Sequence, residues 1–592
     1  MPGKISFHFD DCFITQYEQA FPVFQKNGAV GCLVVAAGEG RHAMTFDQMM
    51  EMQDAGWEII CHTFSHVRMA TEPLPAEVAE YEVVQCKHFL EEKGFRVRQF
   101  VTPYSGCHVD TLPLLRAHYD AAFTVYKNSN AQPIEELVIK RPVQKYRLNR
   151  AVMSGHTLEE LKAFVDYVAE HDDWLIFYEH ELGVGKNITA DILEDVVHYC
   201  QEKGVQILTS SQALASEKCT TEILQEGFDG KECFVHARTV TKDDFRMITA
   251  QKMDVTGCDF FECLQVNTSS DGGHTWTGFQ PDTTFMPLQR SVEGKNLRTV
   301  CCDMTPMYHK KTGKYLVTGH TANYLEGSIR PITDRVDRKP VYAVYDMEKK
   351  RFDRVRFVHM PEDPKYYSSG SGCSQCVELE NGDILMPISF QAKDPGMPMH
   401  QKVAVLRCVF DGATISCVEV SNELDVPEEV RGIVECSIAA FQGKYYLTIR
   451  GDGHGYVSVG NQELLFVQPQ IWCWDNGEIL PTYNTQSHWM PINGKLYLVY
   501  TRKNGTNDHV FRHRAPLYAA EVNTDTLRVR RDSEFIVVPE RGARLGNFGV
   551  CSLDENTAYV TASEWMQPIG CEQYGSNNAL WFTTVHMEEE NA

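Results

Sequence analysis

Two sets of residues near the start of the chain have the types and spacing of a metal-dependent hydrolytic site. Asp10 and Asp11 follow the strand-forming apolar residues Ile5, Phe7 and Phe9. Neighbouring strand residues point to opposite faces, so two adjacent carboxylates can share one site only where the strand gives way to a loop. Such close carboxylates repel each other unless a cation or a proton separates their roles. Asp11 on a metal and Asp10 as a general base would resolve the conflict; a plain Asp-Asp turn is the alternative.

His62 and His66 form the second set. Two His residues four apart share a face in a helical turn, which lets both imidazoles reach one metal. One carboxylate and two imidazoles leave positions open for water and substrate, and this donor set suits Zn²⁺ or another divalent ion. Two later groups also follow strand-like runs: Tyr104, where a backbone N–H could face an oxyanion, and His180, placed to act as an acid.

The elements that must position these residues alternate between strand and helix from residue 1 to about 215. After the strand that delivers Asp10, the sequence predicts strands at 30–36, 57–61, 100–101, 121–126, 174–178 and 205–208, and helices at 46–55, 75–92, 158–170 and 192–203. Repeated β-then-α units predict a parallel sheet, closed as a barrel. Sites on such barrels lie at the C-terminal ends of the strands, where all of these groups fall.

These motifs resemble those of the NodB-homology polysaccharide deacetylase family over about residues 1–215. The family pattern T-F-D-D-G corresponds here to His8-Phe9-Asp10-Asp11-Cys12, and H-S/T-x-x-H corresponds to His62-Thr63-Phe64-Ser65-His66. The pattern R-x-P-Y corresponds to Val101-Thr102-Pro103-Tyr104. The family's final apolar strand ending in His corresponds to Trp174-Leu175-Ile176-Phe177-Tyr178-Glu179-His180. The resemblance implies a distorted (β/α) barrel in which a metal activates a water for attack on an acetamide or acetyl ester.

The resemblance also assigns roles to individual residues. It implies that Asp11, His62 and His66 bind the metal, that Asp10 is the general base and that His180 is the general acid. The metal and the backbone N–H of Tyr104 would hold the oxyanion.

Two departures from the family pattern bear on this assignment. Val101 stands where the family has the Arg that orients the base, and Cys12 replaces a Gly. Arg141, ahead of Pro142, is a candidate replacement for that charge, and a structural salt bridge is an equally good reading of it. Family members with similar departures hydrolyse other C–N bonds, so a non-acetyl amidohydrolase is the alternative activity.

The remaining two thirds of the chain read as all-β. After an expected linker at 216–231, a Gly-containing turn followed by an alternating strand recurs in Thr312-Gly-Lys-Tyr, Asn381-Gly-Asp-Ile, Gln442-Gly-Lys-Tyr and Asn493-Gly-Lys-Leu. Spacings of about 50–70 residues with four strands per unit predict a six-bladed β-propeller over 232–592.

One turn sharpens this prediction. Ser269-Ser-Asp271-Gly-Gly-His-Thr275-Trp276 matches the Asp-box of sialidase-like propellers, and the resemblance to that superfamily covers about 230–585. By blade position it points to Arg238, Arg450 and Arg514 as the guanidinium groups for an acidic sugar. It points to Glu435 and Asp259 as catalytic carboxylates.

The same resemblance leaves the propeller chemistry open. Phe548 falls where a sialidase keeps its nucleophilic Tyr, so a retaining sialidase mechanism is in doubt. Gln486 and His488 lie in a turn-rich segment expected to rim the sugar site. One hypothesis is therefore that the propeller cleaves or binds the glycan that the barrel deacylates. The other makes the propeller a non-catalytic binding and assembly module.

Composition limits the partners and compartment. A chain of 592 residues requires at least two domains, and 56 basic against 80 acidic residues give a formal charge of -24. This charge argues against nucleic acid or an anionic membrane as a partner. No apolar run is long enough to span a bilayer, no signal peptide is visible, and the 20 scattered Cys suit a reducing cytoplasm. We expect a carbohydrate partner, acidic or acylated; a homo-oligomer is left open.

Overall fold

The computed structural model describes residues 2–38, 43–257, 259–292, 294–329, 331–332, 338–393 and 399–588. The chain forms two compact units, residues 1–220 and 221–592.

The first unit is a closed parallel barrel. Its sheet contains β1 (Lys4–Asp10), β2 (Cys32–Val35), β3 (Glu58–Cys61), β4 (Val97–Val101), β5 (Ala121–Tyr126), β7 (Leu148–Val152), β8 (Trp174–Glu179) and β9 (Gln206–Ile207). The two-residue strand β6 (Val143–Gln144) lies between β5 and β7 in sequence and is not part of this sheet. The ring runs β1-β2-β3-β4-β5-β7-β8 and closes because β1 pairs with both β2 and β8, while the short β9 adds to the start of β1. The predicted distorted (β/α) barrel is confirmed.

Helices cover the outside of the barrel. They are α1 (Phe21–Lys26), α2 (Phe46–Asp54), α3 (Ala76–Ala79), α4 (Cys86–Glu92), α5 (Leu112–His118), α6 (Ile134–Leu137), α7 (Leu158–His171), α8 (Ala190–Glu202) and α9 (Ser210–Ala215). Capping boxes at Thr45, Thr157 and Thr209 satisfy N–H groups at three helix starts. The single helix predicted at 75–92 is wrong in one respect: a π-helical turn, Glu80–Gln85, separates α3 from α4.

Strand β1 is apolar on one face and polar on the other. Ile5, Phe7 and Phe9 face the helices, and the rings of Phe7 and Phe9 pack on Phe24 at 5.4 and 5.8 Å. The alternate residues are also buried but polar, and each has a polar partner: Lys4 bonds Glu217, Ser6 bonds Trp174, His8 bonds Ser210 and Asp10 bonds Arg150. This polar face extends to Asp10, which places a carboxylate at the C-terminal end of the strand.

The second unit contains six antiparallel sheets, which confirms the six-bladed propeller. Blade one contains β11 (Glu232–Lys242), β12 (Phe245–Asp254), β13 (Gln265–Ser269) and β14 (Gln280–Pro281), and blade two contains β15 (Leu288–Val292), β16 (Lys295–His309), β17 (Lys314–Leu325), β18 (Pro340–Asp346), β19 (Arg351–Phe352) and β20 (Arg356–Phe357). Blade three contains β21 (Ser368–Gly370), β22 (Val377–Glu378), β23 (Ile384–Gln391), β24 (Lys402–Phe410) and β25 (Ile415–Val420), and blade four contains β26 (Val434–Phe441), β27 (Lys444–Arg450), β28 (Gly455–Gly460) and β29 (Gln470–Ile471). Blade five contains β30 (His488–Ile492), β31 (Lys495–Thr501), β32 (Leu517–Asn523), β33 (Arg528–Val529) and β34 (Phe535–Val538), and blade six contains β35 (Arg544–Leu545), β36 (Gly549–Ser552), β37 (Thr557–Trp565) and β38 (Leu580–His586).

The recurring Gly turns occupy equivalent places in four blades. Gly313, Gly382, Gly443 and Gly494 each lie in the turn that enters the second long strand of a blade, with φ between 64° and 85°. Such backbone is unfavourable for residues with a Cβ, which explains why Gly marks the repeat.

The expected linker at 216–231 needs a correction. It contains strand β10 (Cys219–Gln225), which pairs with β38 in the sheet of the sixth blade. Its partner lies some 360 residues later, as the bond from Thr221 to Phe582 shows, so local sequence could not reveal the pairing. Within the described residues, no helix is long and apolar enough to cross a membrane.

Candidate functional sites

The predicted metal ligands come together at the C-terminal end of the barrel. Single ligand atoms of Asp11, His62 and His66 all lie within 4.8 Å of one another. Asp11 Oδ1 is 3.4 Å from His66 Nε2 and 3.9 Å from His62 Nε2. Two imidazole nitrogens and one carboxylate oxygen at this spacing fit a catalytic Zn²⁺-type ion with open coordination positions.

The loops that carry these ligands depart from ordinary backbone. Asp11, Thr63, His66 and Tyr104 have φ values of 70°, 63°, 61° and 57°. Left-handed backbone at non-Gly residues is unfavourable and tends to gather at functional sites. These four residues follow strands β1, β3 and β4, so the unusual backbone gathers at the C-terminal edge of the barrel.

His62 is held in the state that a metal needs. Its Nδ1–H donates to the carbonyl of Val101 at 2.8 Å, which leaves the Nε2 lone pair toward Asp11. Burial lowers the pKa of His62 to about 4, so the ring is neutral at ordinary pH. The backbone carbonyl of Val101, the residue at the position of the family Arg, thus orients the His62 ring.

Glu82 fixes the loop between His62 and His66. Its carboxylate accepts bonds from the N–H groups of Phe64 and Ser65 at 2.9 and 2.8 Å and from the Ser65 hydroxyl at 2.5 Å. Glu82 is buried and lies in the π-helical turn between α3 and α4. A π-turn at this point is a common feature of functional sites.

Asp10 is paired with an arginine that the sequence did not identify. Arg150 Nη1 and Nη2 donate to Asp10 Oδ1 and Oδ2 at 2.7 and 3.0 Å, with both side chains 4% exposed. Burial alone would raise the pKa of Asp10, but the Arg150 guanidinium holds it well below its usual range. Asp10 is thus ionised and fixed in orientation.

Of the two interpretations of Arg141, the structure supports the structural salt bridge and not a replacement for the family Arg. Arg141 binds Glu217 at 2.8 and 3.0 Å and the carbonyl of Asp172. Glu217 also pairs with Lys4 at the start of β1, the opposite end from Asp10. A seven-residue strand is roughly 20 Å long, so Arg141 cannot reach the base.

His180 and Tyr104 flank the metal ligands. His180 Nε2 is 3.9 Å from Asp11 Oδ2, and its side chain is 42% exposed. The Tyr104 ring contacts the His66 ring at 4.9 Å between centroids and lies 4.2 Å from the Arg68 guanidinium. His180 and the Tyr104 loop therefore lie at the same edge of the barrel as Asp11 and His66.

In the propeller, a repeated bulge aims polar residues at one cavity. The inner strands of the first, second and fourth blades shift register between Val235 and Arg238, Cys302 and Thr305, and Val434 and Ser437. The first residue inside each bulge has left-handed backbone: His236, Asp303 and Glu435, with φ of 61°, 53° and 46°. A bulge re-aims a side chain, and all three line a cavity of about 820 Å³.

Four predicted propeller residues also line this cavity: Asp259, Glu435, Arg450 and Arg514. Arg450 donates to Glu435 Oε2 and to Asn484 Oδ1, both at 2.5 Å, and Arg514 donates to the carbonyl of Asn484 at 2.7 Å. The fourth and fifth blades therefore bring two of the three predicted guanidinium groups together.

Arg238 does not join them. Within the described chain, it is not among the residues lining the cavity; it is 1% exposed and donates to Asp303 Oδ1 at 2.9 Å. The bulge explains the difference, because it places His236, two positions earlier, at the cavity surface. The prediction that Arg238 contacts the ligand is corrected: its guanidinium pairs with the carboxylate of Asp303.

Gln486 and His488 are buried and do not rim the cavity in the described structure. His488 Nδ1 is 2.7 Å from Ser437 Oγ, and its ring packs on Phe548 at 4.8 Å. Phe548 is likewise buried; its neighbour Asn547 lines the cavity and donates to Asp303 Oδ1 at 3.0 Å. The sixth blade therefore presents the amide of Asn547, and not the Phe548 ring, to the cavity.

Two of the carboxylates that line the cavity, Asp259 and Glu435, have opposite electrostatic environments. Burial, with a contribution from Asp303, raises the pKa of Asp259. Burial would also raise the pKa of Glu435, but Arg450 lowers it to about 2. The pKa values of these two cavity carboxyl groups are therefore shifted in opposite directions.

A second group of potential metal ligands, Cys302, Asp303 and His320, lines the same cavity. Its environment does not suit a metal. His320 Nδ1 accepts the N–H of Gly372 at 2.8 Å, and its Nε2 lies 3.9 Å from Asp303 Oδ2. A guanidinium nitrogen of Arg338 lies 2.6 Å from the same Nε2, and Arg238 already pairs with Asp303.

The turn expected as an Asp-box is closed by its own side chains. Asp271 accepts from the N–H of Thr275 at 2.9 and 3.1 Å, and the indole N–H of Trp276 donates to the carbonyl of Gly273 at 2.9 Å. Burial would raise the pKa of Asp271, but its bonds to Thr275 lower it to about 2. These contacts are structural and lie within the first blade.

Comparison with known proteins agrees with the resemblance of the barrel. Residues 2–122 match the polysaccharide deacetylase family. The match supports a carbohydrate-active enzyme, and such deacetylases are typically metal-dependent. No curated protein matches the chain.

Solved structures similar to the chain include sialidases. Trypanosoma rangeli sialidase in complex with sialic acid has 16% identity and a TM-score of 0.45, covering 62% of this chain and 59% of that one. A Dyadobacter fermentans protein of unknown function has 13% identity and a TM-score of 0.44, covering 62% and 99%. The NanB sialidase from Streptococcus pneumoniae has 9% identity and a TM-score of 0.43, covering 64% and 73%. The chain thus spans about three fifths of the length of the Trypanosoma enzyme.

Proposed function

We propose that the barrel is a metal-dependent hydrolase that removes an acyl group from a sugar or oligosaccharide. The observation that carries the proposal is the set of Asp11, His62 and His66 at one strand edge, beside an ionised Asp10 and an accessible His180. A lone His pair or a lone Asp pair would not carry it.

The chain's own groups divide the chemistry between them. A divalent ion held by Asp11, His62 and His66 would supply Lewis acidity and lower the pKa of a water molecule. Asp10 accepts the proton of the attacking water at a carboxylate oxygen that Arg150 holds in place. His180 then donates a proton from Nε2 to the leaving amine or alkoxide. The strained Tyr104 turn lies beside His66 and borders the acyl group.

Acetate release from N-acetyl and O-acetyl oligosaccharides by the metal-loaded protein tests this function. We expect release by the wild type and none by His62→Ala or Asp11→Ala, with metal analysis showing loss of the bound ion. No acetate from any acetylated sugar, with ammonia or another amine released from a small amide instead, would favour the non-acetyl amidohydrolase. Wild-type rates in either variant would refute the ligand assignment.

For the propeller we propose binding, and cleavage, of an acidic glycan. Support comes from Asp259 and Glu435, whose pKa values are shifted apart, in one cavity with Arg450 and Arg514. Asn547 cannot replace a tyrosine nucleophile, so cleavage would use an activated water. Titration of the protein with acidic and neutral sugars tests the binding. If no acidic sugar binds, the alternative, a non-catalytic assembly module, is favoured for the propeller.

The proposal also places the protein in a reducing compartment, the cytoplasm. It rests on the cysteines of the described residues, which are all free thiols.

A further inference from the structure

The side chain of Gln16 joins the ends of two barrel strands. Its Nε2 donates to the carbonyl oxygen of Asp10 at 2.6 Å and to that of His180 at 2.9 Å. Gln16 is 0% exposed and is the first residue of a π-helical turn, Gln16–Ala20, in the segment after β1. Both neighbours are acceptors, so only the amide nitrogen, with its two N–H groups, can satisfy them. One buried amide thus connects the residues proposed as the base and the acid of the barrel.

The bonds of Gln16 begin where the pairing of the two strands stops. The parallel register of β1 and β8 ends with the pair Phe9 and Glu179. Asp10 and His180 are the next residues along each strand. Carbonyl groups beyond the last paired residues of a sheet need other donors when they are buried. The Gln16 amide supplies these donors and so extends the connection between the strands by one residue.

The backbone of His180 is held more firmly than its side chain. The side chain is 42% exposed, and its ring packs on the Tyr178 ring at 5.8 Å between centroids. The His180 N–H donates to Glu179 Oε1 at 2.9 Å, while its carbonyl accepts from Gln16. Glu179 is 0% exposed and also accepts from the Ser154 hydroxyl at 2.6 Å. Two buried side chains, one on each side, therefore set the position of the His180 backbone.

Asp10 has further restraints of its own. It lies within β1, pairs in register with Val34 of β2, and receives two bonds from Arg150 at its carboxylate. Loss of the Gln16 amide would leave these contacts in place. The effect of removing Gln16 should therefore fall on His180, which follows the last residue of β8.

We infer that Gln16 is a positioning residue that holds His180 at a fixed place relative to Asp10. The inference rests on the proposed hydrolase function of the barrel, in which Asp10 takes a proton from water and His180 gives one to the leaving group. Misplacing a reacting group by about 1 Å can lower a rate by about 10²-fold. Gln16 acts through His180 and makes no contact with the substrate.

Gln16→Met tests the inference, because methionine has a similar length and no N–H group. Two probes are compared: an N-acetylated chitotetraose, whose amine leaving group needs a proton, and para-nitrophenyl acetate, whose nitrophenolate leaves without one. For the amide we expect kcat to fall by about 10-fold to 100-fold and KM to change by less than about threefold. For the ester we expect kcat to fall by less than about threefold, because the acid is not required.

Gln53→Met is the matched control. Gln53 is also a buried amide that joins backbone groups: its Nε2 lies 3.4 Å from the carbonyl of Gly94, and its Oε1 accepts from the N–H of Arg96 at 2.7 Å. Arg96 precedes β4, so these bonds lie at the opposite end of the strand from the site. The control should keep the wild-type kcat on both probes. If Gln16→Met does not fold, Gln16→Asn, which keeps the amide but shortens its reach, takes its place.

Two further readouts separate positioning from a general loss of structure. In a His180→Asn background, Gln16→Met should lower kcat for the amide by less than about threefold, because the acid that it positions is already gone. Hydrogen exchange of the full-length, metal-free protein should be faster over residues 180–188 in Gln16→Met than in the wild type. The same residues should exchange at the wild-type rate in Gln53→Met.

The outcomes distinguish the inference from the function on which it rests. If the wild type releases no acetate from the amide, the deacetylation of N-acetyl sugars fails, and hydrogen exchange decides the role of Gln16. Equal exchange over 180–188 in the two glutamine variants would then overturn the inference. If the wild type is active, equal losses on the two probes, or a full loss that persists beside His180→Asn, would overturn the inference and leave the hydrolase standing.

Discussion

Replacing Arg150 by Met gives the sharpest test of how the barrel site is built. The change leaves the Asp10 carboxylate, 4% exposed, without its two bonds of 2.7 and 3.0 Å. Removing one partner of a buried ion pair costs about 3–5 kcal/mol, because the other charge stays buried and uncompensated. We therefore expect Arg150→Met to lower the barrel's free energy of unfolding by that amount.

Arg141→Met is the matched control for Arg150→Met. It also removes an arginine from a carboxylate in the same barrel, but Glu217 keeps Lys4 at 2.8 Å as a second cation. Its cost should be less than half that of Arg150→Met, about 1–2 kcal/mol. Adding Asp10→Asn to Arg150→Met removes the orphaned charge and should recover about 2 kcal/mol or more.

Hydrogen exchange of peptides from β1 and β7, followed by mass spectrometry over a urea series, measures the barrel within the full chain. The pH dependence has a defined sign. The folded pKa of Asp10 lies below its ordinary value, so the wild-type pair contributes stability above the unfolded-state pKa and loses it as the pH falls through the folded pKa. In Arg150→Met, burial raises that pKa, and the penalty shrinks as the pH is lowered. Equal costs for the two arginine variants, or no recovery with Asp10→Asn, would refute the reasoning.

Three further outcomes are expected. Glu82→Gln should weaken metal affinity by about 10-fold to 100-fold, because the Glu82 carboxylate holds the loop between His62 and His66. The control Glu77→Gln, on the exposed helix α3, should leave the affinity unchanged. Competition titration with a chelating dye measures both variants, and equal affinities would show that Glu82 does not support the metal site. His180→Asn should lower kcat for deacylation by about 10²-fold to 10⁴-fold while the protein keeps its metal, and a kcat near that of the wild type would exclude His180 as the acid. Acidic-sugar affinity of the propeller should rise as the pH is lowered through the raised pKa of Asp259, because its protonation removes a negative charge from the cavity; the same titration on Asp259→Asn should show no such trend, and a trend that persists would place the titrating group elsewhere.

The fold of both units could be predicted because each repeats a local pattern. Alternating strand and helix signals gave the barrel, and Gly turns such as Gly443 and Gly494 recur because the backbone there needs φ above 60°. What escaped prediction depends on partners distant in sequence. Strand β10 in the expected linker was not predicted because it pairs with a strand near the end of the chain. Strand β7 was not predicted because Arg150 occupies an inward position that is apolar in most core strands.

The candidate site shows the same division. Asp11, His62 and His66 were found because their spacing within short motifs fixes their chemistry. Arg150 is not part of any recognisable motif. It could have been identified only by first recognising Leu148-Asn-Arg150-Ala-Val as a strand, in which an arginine is unusual. Arg238 was misplaced because a two-residue bulge decides whether it or His236 reaches the cavity, and no feature of the sequence marks a bulge there.

Anomalous diffraction from crystals grown with a divalent transition metal tests the central claim most directly. The account predicts one strong anomalous peak bounded by Asp11 Oδ1, His62 Nε2 and His66 Nε2, and its loss in Asp11→Ala crystals. A peak at Cys302, Asp303 and His320 instead, or no peak at the barrel edge after metal loading, would contradict the assignment on which the proposed hydrolase rests.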